Sequence, residues 1–190
     1  RTGISGGPQV RATAAPSHPR ALRFRRQRTK EAPMNDPIMQ TRVADLYTRY
    51  AETLCDLMIS EWPDYFTDDC LYRVVSRPNH DRGQRIGPMF AENKGALQDR
   101  VVAIRETLVY SARSLTHLVS GARILSSEGA TLRTRSMLAV YQTLVDGTTQ
   151  LQLVGRTFDV IDASGSELKF RERVVVFDTE LLAGALVYPV

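Results

Sequence analysis

Few side chains in this sequence are equipped to do chemistry, and they are scattered. The histidines are His18, His80 and His117, and the cysteines are Cys55 and Cys70. A two-histidine, one-carboxylate iron site would have to recruit His80 from a loop and His117 from a strand, and nothing in the spacing proposes that meeting. A Rieske cluster takes two Cys and two His from paired short motifs. Here Cys55 falls on a helix and Cys70 on a strand, neither with a histidine close in sequence, so no such cluster is expected. From Met34 onward there is no G-x-G-x-x-G, P-loop or G-x-S-x-G. The two thiols form no C-x-x-C and no disulfide framework, which fits a cytoplasmic chain.

His117, in "SARSLTHLVSGARI", is the weak candidate for catalysis. Period-two alternation puts it on a strand face with Leu115, Val119 and Leu125, opposite Ser114, Thr116, Leu118 and Ile124. Neither face is cleanly polar, so the strand is expected to be covered on both sides, with His117 a hydrogen-bonded structural residue. An acid/base role would need a carboxylate to tune it. Asp56 or Asp64, or the Tyr50 hydroxyl, could serve only if folding brought one of them close.

Charge divides the chain. Residues 1–33 hold seven Arg and one Lys against one Glu, a net +7, and the remainder of the 25 basic and 21 acidic side chains leaves 34–190 at 17 against 20, or −3. The basic stretch lacks apolar periodicity and is rich in Gly, Pro and Ala, so disorder is expected. It reads as a leader upstream of an ordinary start at Met34, or else as a targeting segment or nucleic-acid arm. The acidic body offers no second basic motif, which argues against nucleic acid as a partner. No run of 18 apolar residues is present, so no membrane-spanning helix is expected.

The body, 34–190, reads as one domain. Val43, Leu46, Tyr47, Tyr50, Leu54, Leu57 and Met58 recur at helical spacing, which predicts a helix over 41–60 capped by Thr41 or Asp36. Trp62, Tyr65 and Phe66 mark a short helical turn, and 70–76 reads as a strand. Two Pro and three Gly make 77–95 a long loop, and 96–110 reads as a second helix. The period then changes to two, with strands at 113–125, 130–143, 148–161 and 167–177 joined by the turn chemistry of "SSEG", "VDGT" and "DASGS". Helices followed by antiparallel strands predict an α+β fold with the helices on one face of a curved sheet. In the last strand Arg171, Arg173 and Val175 alternate with Phe170, Glu172 and Val174, a charged face suited to solvent or to a subunit contact. The apolar ending "DTELLAGALVYPV" is unlike a loose terminus and is expected to dock.

Four stretches, "EWPDYFTDDCLYRVVSRPNHDRG", "LQDRVVAIRE", "THLVSGARI" and "GRTFDVID…ELKFRERVVVFDTELLAGALVYP", resemble the small (β) subunits of aromatic-ring-hydroxylating dioxygenases. The last is the most specific, with a strand ending in Asp178, then an apolar segment and the near-terminal Pro189. The resemblance covers the body and none of residues 1–33. It implies a cystatin-like or ketosteroid-isomerase-like cone, with N-terminal helices packed in a strongly bent antiparallel sheet. It further implies a structural subunit with no catalytic, cofactor or metal residue of its own. A catalytic α subunit would then carry the Rieske 2Fe-2S cluster and the mononuclear Fe(II), fed from NADH by a reductase. The likeness implies an α3β3 hexamer containing a β trimer, with Arg171, Arg173, Asp178 and Tyr188 as interface candidates. The loop "RPNHDRG" and the turn "WPDYFT" look most like members acting on carboxylated arenes, such as terephthalate dioxygenase and salicylate 5-hydroxylase. The competing reading is a stand-alone cone-fold isomerase or dehydratase using His117 with Asp56 or Tyr50.

Overall fold

The computed structural model describes residues 36–107, 109–145, 147–182 and 184–190; the leader expected at 1–33 lies outside them. Helix α1 spans Pro37–Cys55. It starts four residues before the predicted start at 41, because Asp36 caps it, accepting from the amides of Ile38 at 2.9 Å and Met39 at 3.3 Å, with Pro37 in the first turn. It stops short of the predicted residue 60 because Leu57 takes a left-handed backbone, φ +56°. Leu57 N–H then reaches the Leu54 carbonyl and Met58 N–H the Thr53 carbonyl, closing the helix as glycine ordinarily does. A side chain in that conformation costs about 1 kcal/mol. The inward stripe is Val43, Leu46, Tyr47, Tyr50 and Leu54, all at most 1% exposed.

A 3-10 turn at Trp62–Tyr65 leads into strand β1, Phe66–Ser76, which is longer than its apolar signal. The predicted loop 77–95 is not structureless. It holds a short helix α2, Arg77–Asp81, and a strand β2, Met89–Ala91. Ser76 caps α2 through its hydroxyl, and Asn93 caps helix α3, Lys94–Val102. A wider π-helical turn continues α3 over Ala103–Thr107. Strands β3 (Arg113–Glu128), β4 (Thr131–Leu144), β5 (Thr149–Asp162) and β6 (Lys169–Phe177) follow.

These strands form one six-stranded sheet in the order β2-β1-β6-β5-β4-β3. The last four pair antiparallel, as period-two hairpins require. β1 departs from the expected all-antiparallel sheet and runs parallel to β6. Residues 77–112, with α2, β2 and α3, carry the chain between β1 and β3, so β1 meets β6 only through tertiary folding.

Register breaks decide which side chains face inward. Between Ser120 and Arg123 the β3–β4 pairing gains one residue on β3, at Gly121 with φ +64°. Past that bulge Ile124 faces inward opposite Thr134, and a second register break leaves Leu125 without an opposite residue, so Leu125 does not share His117's face as alternation predicts. On β6, Glu172 pairs with Val160 and Phe170 with Ile161, leaving Arg171 without an opposite residue. Phe170 and Arg173 therefore both point into the core. β3 is covered on its inner side only: Leu118 is 54% exposed, against 7% for His117.

The long free edge of β3 is sealed by α1. The Gln40 side chain donates to the Ala122 carbonyl at 2.6 Å and accepts from the Ile124 amide at 3.2 Å. At the other end of the helix Cys55 Sγ accepts from the His117 amide at 3.2 Å. Backbone groups that would template another strand are thus occupied. Within the sheet, Gly155 of β5 lies against β6 so closely that a Cβ there would sit 2.2 Å from the Val176 carbonyl oxygen and 2.8 Å from Phe177 Cα. Gly155→Ala is expected to destabilise the fold by roughly 2 kcal/mol or more, read as a lowered denaturant midpoint with an unchanged slope.

Candidate functional site

The space between α1, α3 and the sheet is filled by aromatic side chains around one buried ion pair. Tyr47, Tyr50, Trp62, Phe66, Tyr72 and Phe170 are each at most 1% exposed. Their rings meet mainly edge-to-face, with centroids from 5.1 Å (Trp62–Tyr72) to 6.2 Å (Tyr50–Phe66). Arg173, which the sequence analysis placed among the subunit-contact candidates, is fully buried at their centre. Its guanidinium carbon lies 4.2 Å from the Tyr50 ring centroid, 4.8 Å from Phe170 and 5.4 Å from Tyr47, and Nη1 is 3.3 Å from Asp159 Oδ2.

Asp159 Oδ2 also accepts from the Tyr47 and Thr157 hydroxyls. Thr134 and Ser136 extend the network, each 2.9 Å from the next hydroxyl. Burial pushes the Asp159 carboxyl up, and Arg173 and the hydroxyl donors pull it back. Burial opposes the charge on Arg173, but Asp159 and the phenols outweigh it and hold the guanidinium protonated. Nothing in the spacing of Arg173 and Asp159 marks them as partners; the signal was a polar residue on each of two apolar strands.

The apolar ending docks as expected, over the same cluster. The Tyr50 and Tyr72 hydroxyls both donate to the Val190 carbonyl at 3.1 Å, and Trp62 Nε1 donates to the Tyr50 oxygen at 2.9 Å. The Val190 amide donates to the Tyr72 oxygen at 2.9 Å. Arg100 holds the carbonyls of Leu186 and Val187 at 3.1 and 2.8 Å. Two phenols converging on one carbonyl oxygen is the geometry an oxyanion hole uses, but the acceptor here is the chain's own backbone. Burial raises both phenol pKa values, so both remain protonated donors.

His117 sits at the edge of this packing. Its Nδ1 is 3.7 Å from Cys55 Sγ, and its Nε2 has no hydrogen bond of good geometry. Burial drives its pKa down to about 4, against a smaller opposing pull from the Pro189 carbonyl, so the ring is neutral near pH 7. The carboxylates considered for it lie elsewhere: Asp56 is exposed after α1, and Asp64 pairs with Lys94 at 2.8 Å. Tyr50 is engaged with Val190. Burial also pushes the Cys70 thiol up to about 11.

Among the interface candidates, Tyr188 is 9% exposed and its hydroxyl donates to Tyr110 at 2.8 Å, so it is an interior residue like Arg173. Arg171 is at the surface, 3.2 Å from Asp69, and Asp178 pairs with Arg77. His80 stacks on Phe158 over an outer cluster of Val75, Val174 and Val176. An open groove of about 340 Å³ runs between β2 and α3, lined in part by Met89, Phe90, Leu97 and Arg100. Among the described residues no three His, Cys, Asp or Glu side chains are placed to hold a metal. Cys55 and His117 adjoin each other, but Cys70 lies on β1 and His80 on α2, so the described residues fit neither a Rieske cluster nor a mononuclear iron. No described helix is long and apolar enough to cross a membrane, which leaves strands unaddressed.

A curved sheet wrapped round helices defines a cone fold. Residues 49–183 match the family described as ring hydroxylating beta subunit, and the chain belongs to that family. It is 29% identical over 145 residues to the anthranilate 1,2-dioxygenase small subunit of Burkholderia cepacia, covering 76% of this chain and 90% of that one. It is 26% identical over 152 residues to a terephthalate 1,2-dioxygenase terminal oxygenase β subunit from Comamonas, covering 80% and 99%. Among solved structures, a β subunit assigned to an aromatic-ring-hydroxylating dioxygenase from Novosphingobium aromaticivorans superposes with a TM-score of 0.73 at 33% identity, over 79% of this chain and 95% of that one. A protein assigned as a scytalone dehydratase from the same organism shares the fold, at TM-score 0.60 and 17% identity over 78% and 91%.

Two outcomes test the interior. Because the unfolded His117 titrates near 6.5 and the folded one near 4, the unfolded state binds the extra proton between those values. Stability should therefore fall with pH from about 6.5 toward 4, by up to about 3 kcal/mol from this group. The difference between wild-type and His117→Gln thermal midpoints across that range reads it; a constant difference would contradict the buried neutral ring. Asp159→Leu leaves Arg173 buried and unpaired and should cost about 3–5 kcal/mol, with Asp159→Leu/Arg173→Met recovering much of it in chemical denaturation.

Proposed function

We propose that this chain is the structural subunit of a ring-hydroxylating oxygenase acting on a carboxylated arene of the terephthalate, anthranilate or salicylate type. The substrate class rests on the two relatives named for anthranilate and terephthalate, each matched over at least 90% of its length. The non-catalytic role rests on one observation above all: the interior that could house a reaction is closed by Val190 and the ring of aromatics. A larger catalytic α subunit would carry the Rieske cluster and mononuclear Fe(II) and take electrons from NADH through a reductase. Assembly is as an α3β3 hexamer with three copies of this chain together, in the cytoplasm, a location its two free thiols favour. Arg171 and Asp178 are proposed contact positions, since both remain at the surface.

The test is co-expression with the large subunit of the same oxygenase. The isolated chain is expected to bind no iron and turn over nothing. The purified complex should show 2Fe-2S absorbance and hydroxylate a carboxylated arene in preference to its unsubstituted parent. Turnover by the isolated chain would overturn the structural role; equal rates on the unsubstituted ring would overturn the substrate class.

A further inference from the structure

We infer that the groove between β2 and α3 is a binding site for a one-ring aromatic carboxylate. The ligand class rests on the carboxylated-arene reading above. The inference adds a place on this chain, outside the closed interior, that would hold such a molecule.

The groove suits a flat apolar body. Trp62 and Tyr72, each 1% exposed, form its floor, and Met89 from β2 and Leu97 from α3 line its sides. β2 reaches this place by pairing with β1, with Tyr72 opposite Ala91 and Val74 opposite Met89. Phe90, also in the lining, is 45% exposed. The small side chains of Ala96 and Ala103 leave the space open. Its volume, about 340 Å³, is at the small end of the roughly 300–1,000 Å³ in which ligand pockets fall, and apolar walls with few polar groups are their usual lining. Aromatic rings and a thioether favour an aromatic ligand over an aliphatic one.

The charge in the groove selects an anion. Nη2 of Arg100 donates to the Leu186 and Val187 carbonyls, which fixes the guanidinium without neutralising it. Among the described residues Arg100 Nε has no hydrogen-bond partner and the side chain forms no ion pair. A partly buried guanidinium with donors left over binds a carboxylate better than any neutral group. Asp99 also lines the groove but is exposed. Consecutive helical positions point about 100° apart, so Asp99 does not offset the charge beside it.

Two residues join the groove to the docked chain end. Arg100 holds residues 186 and 187, and the Tyr72 hydroxyl donates to the Val190 carbonyl. A ligand that orders Arg100 against the groove wall therefore also steadies the ending, and its binding stabilises the folded chain.

The test titrates benzoate into the full chain and reads the fluorescence of Trp62, the chain's one tryptophan, with calorimetry for stoichiometry. Saturable binding of one molecule per chain is expected, and the thermal midpoint should rise with benzoate concentration. Benzamide, which keeps the ring and lacks the charge, and acetate, which keeps the charge and lacks the ring, should each bind about tenfold more weakly or worse. Arg100→Gln, which removes the charge, and Ala96→Leu, which fills the groove, should each weaken benzoate binding by about tenfold or more. Circular dichroism checks that both fold; Phe90→Ala, a change at an exposed position of β2, serves if either does not. No saturable binding, benzamide bound as tightly as benzoate, or full affinity in a folded Ala96→Leu variant would each overturn the inference. So would binding that the complex with the large subunit abolishes, since the groove would then be a subunit contact. The titration needs no turnover. An empty groove in a complex that hydroxylates carboxylated arenes overturns this inference alone, and equal turnover of the unsubstituted ring overturns the substrate class alone.

Discussion

The Arg173 guanidinium is fully buried, and a buried cation without a partner is among the most costly arrangements a fold can contain. Much of the interior is organised to meet that constraint. Asp159 supplies the countercharge through Oδ2, Tyr47 and Thr157 donate to that same oxygen, and three aromatic faces surround the cation. The same rings belong to the main hydrophobic core. Tyr50 links the two halves of this arrangement, because its ring faces Arg173 and its hydroxyl holds Val190. The ion pair, the aromatic cluster and the docked chain end are therefore one cooperative unit.

That unit also bears on function. The fold is shared with a protein assigned as a dehydratase. In this chain the space between α1, α3 and the sheet is occupied by its own side chains and by residues 186–190. Two tyrosine hydroxyls directed at a carbonyl, a buried neutral histidine and a buried carboxylate are ingredients of acid–base chemistry. Here each is satisfied internally or shielded from solvent. Fold alone is a poor guide to activity.

Much of the architecture was legible before any coordinates. The stripe from Val43 to Leu54 is periodic enough that no other element fits it, and Asp36 with Pro37 is a start signal in itself. The four late strands are legible because residues of period two are punctuated by turn residues, with Gly129 at positive φ in the first turn and Asp162 accepting from the Ser164 amide in the last. The faces of β3 and β6 were not. Alternation counts residues, and a bulge adds one without leaving a compositional mark: Gly121 is an ordinary glycine in sequence, and Arg171 an ordinary arginine. Past each bulge every inside and outside assignment reverses, which is why Leu125 was placed with His117. Arg173 was read as surface for a different reason. An arginine is rarely buried, and the countercharge that permits it lies 14 residues away on the neighbouring strand.

The sequence by itself determined the α+β class, the docking of an apolar ending and the family, because these depend on local periodicity and on residues read along the chain. It also determined that His117 has no sequence-adjacent partner for chemistry. Tertiary structure decided that β1 runs parallel to β6, that Arg173 and Tyr188 are interior, and that His117 packs beside Cys55 and Pro189. Those outcomes depend on contacts between residues far apart in the chain, whose energies appear only once the sheet has closed around α1.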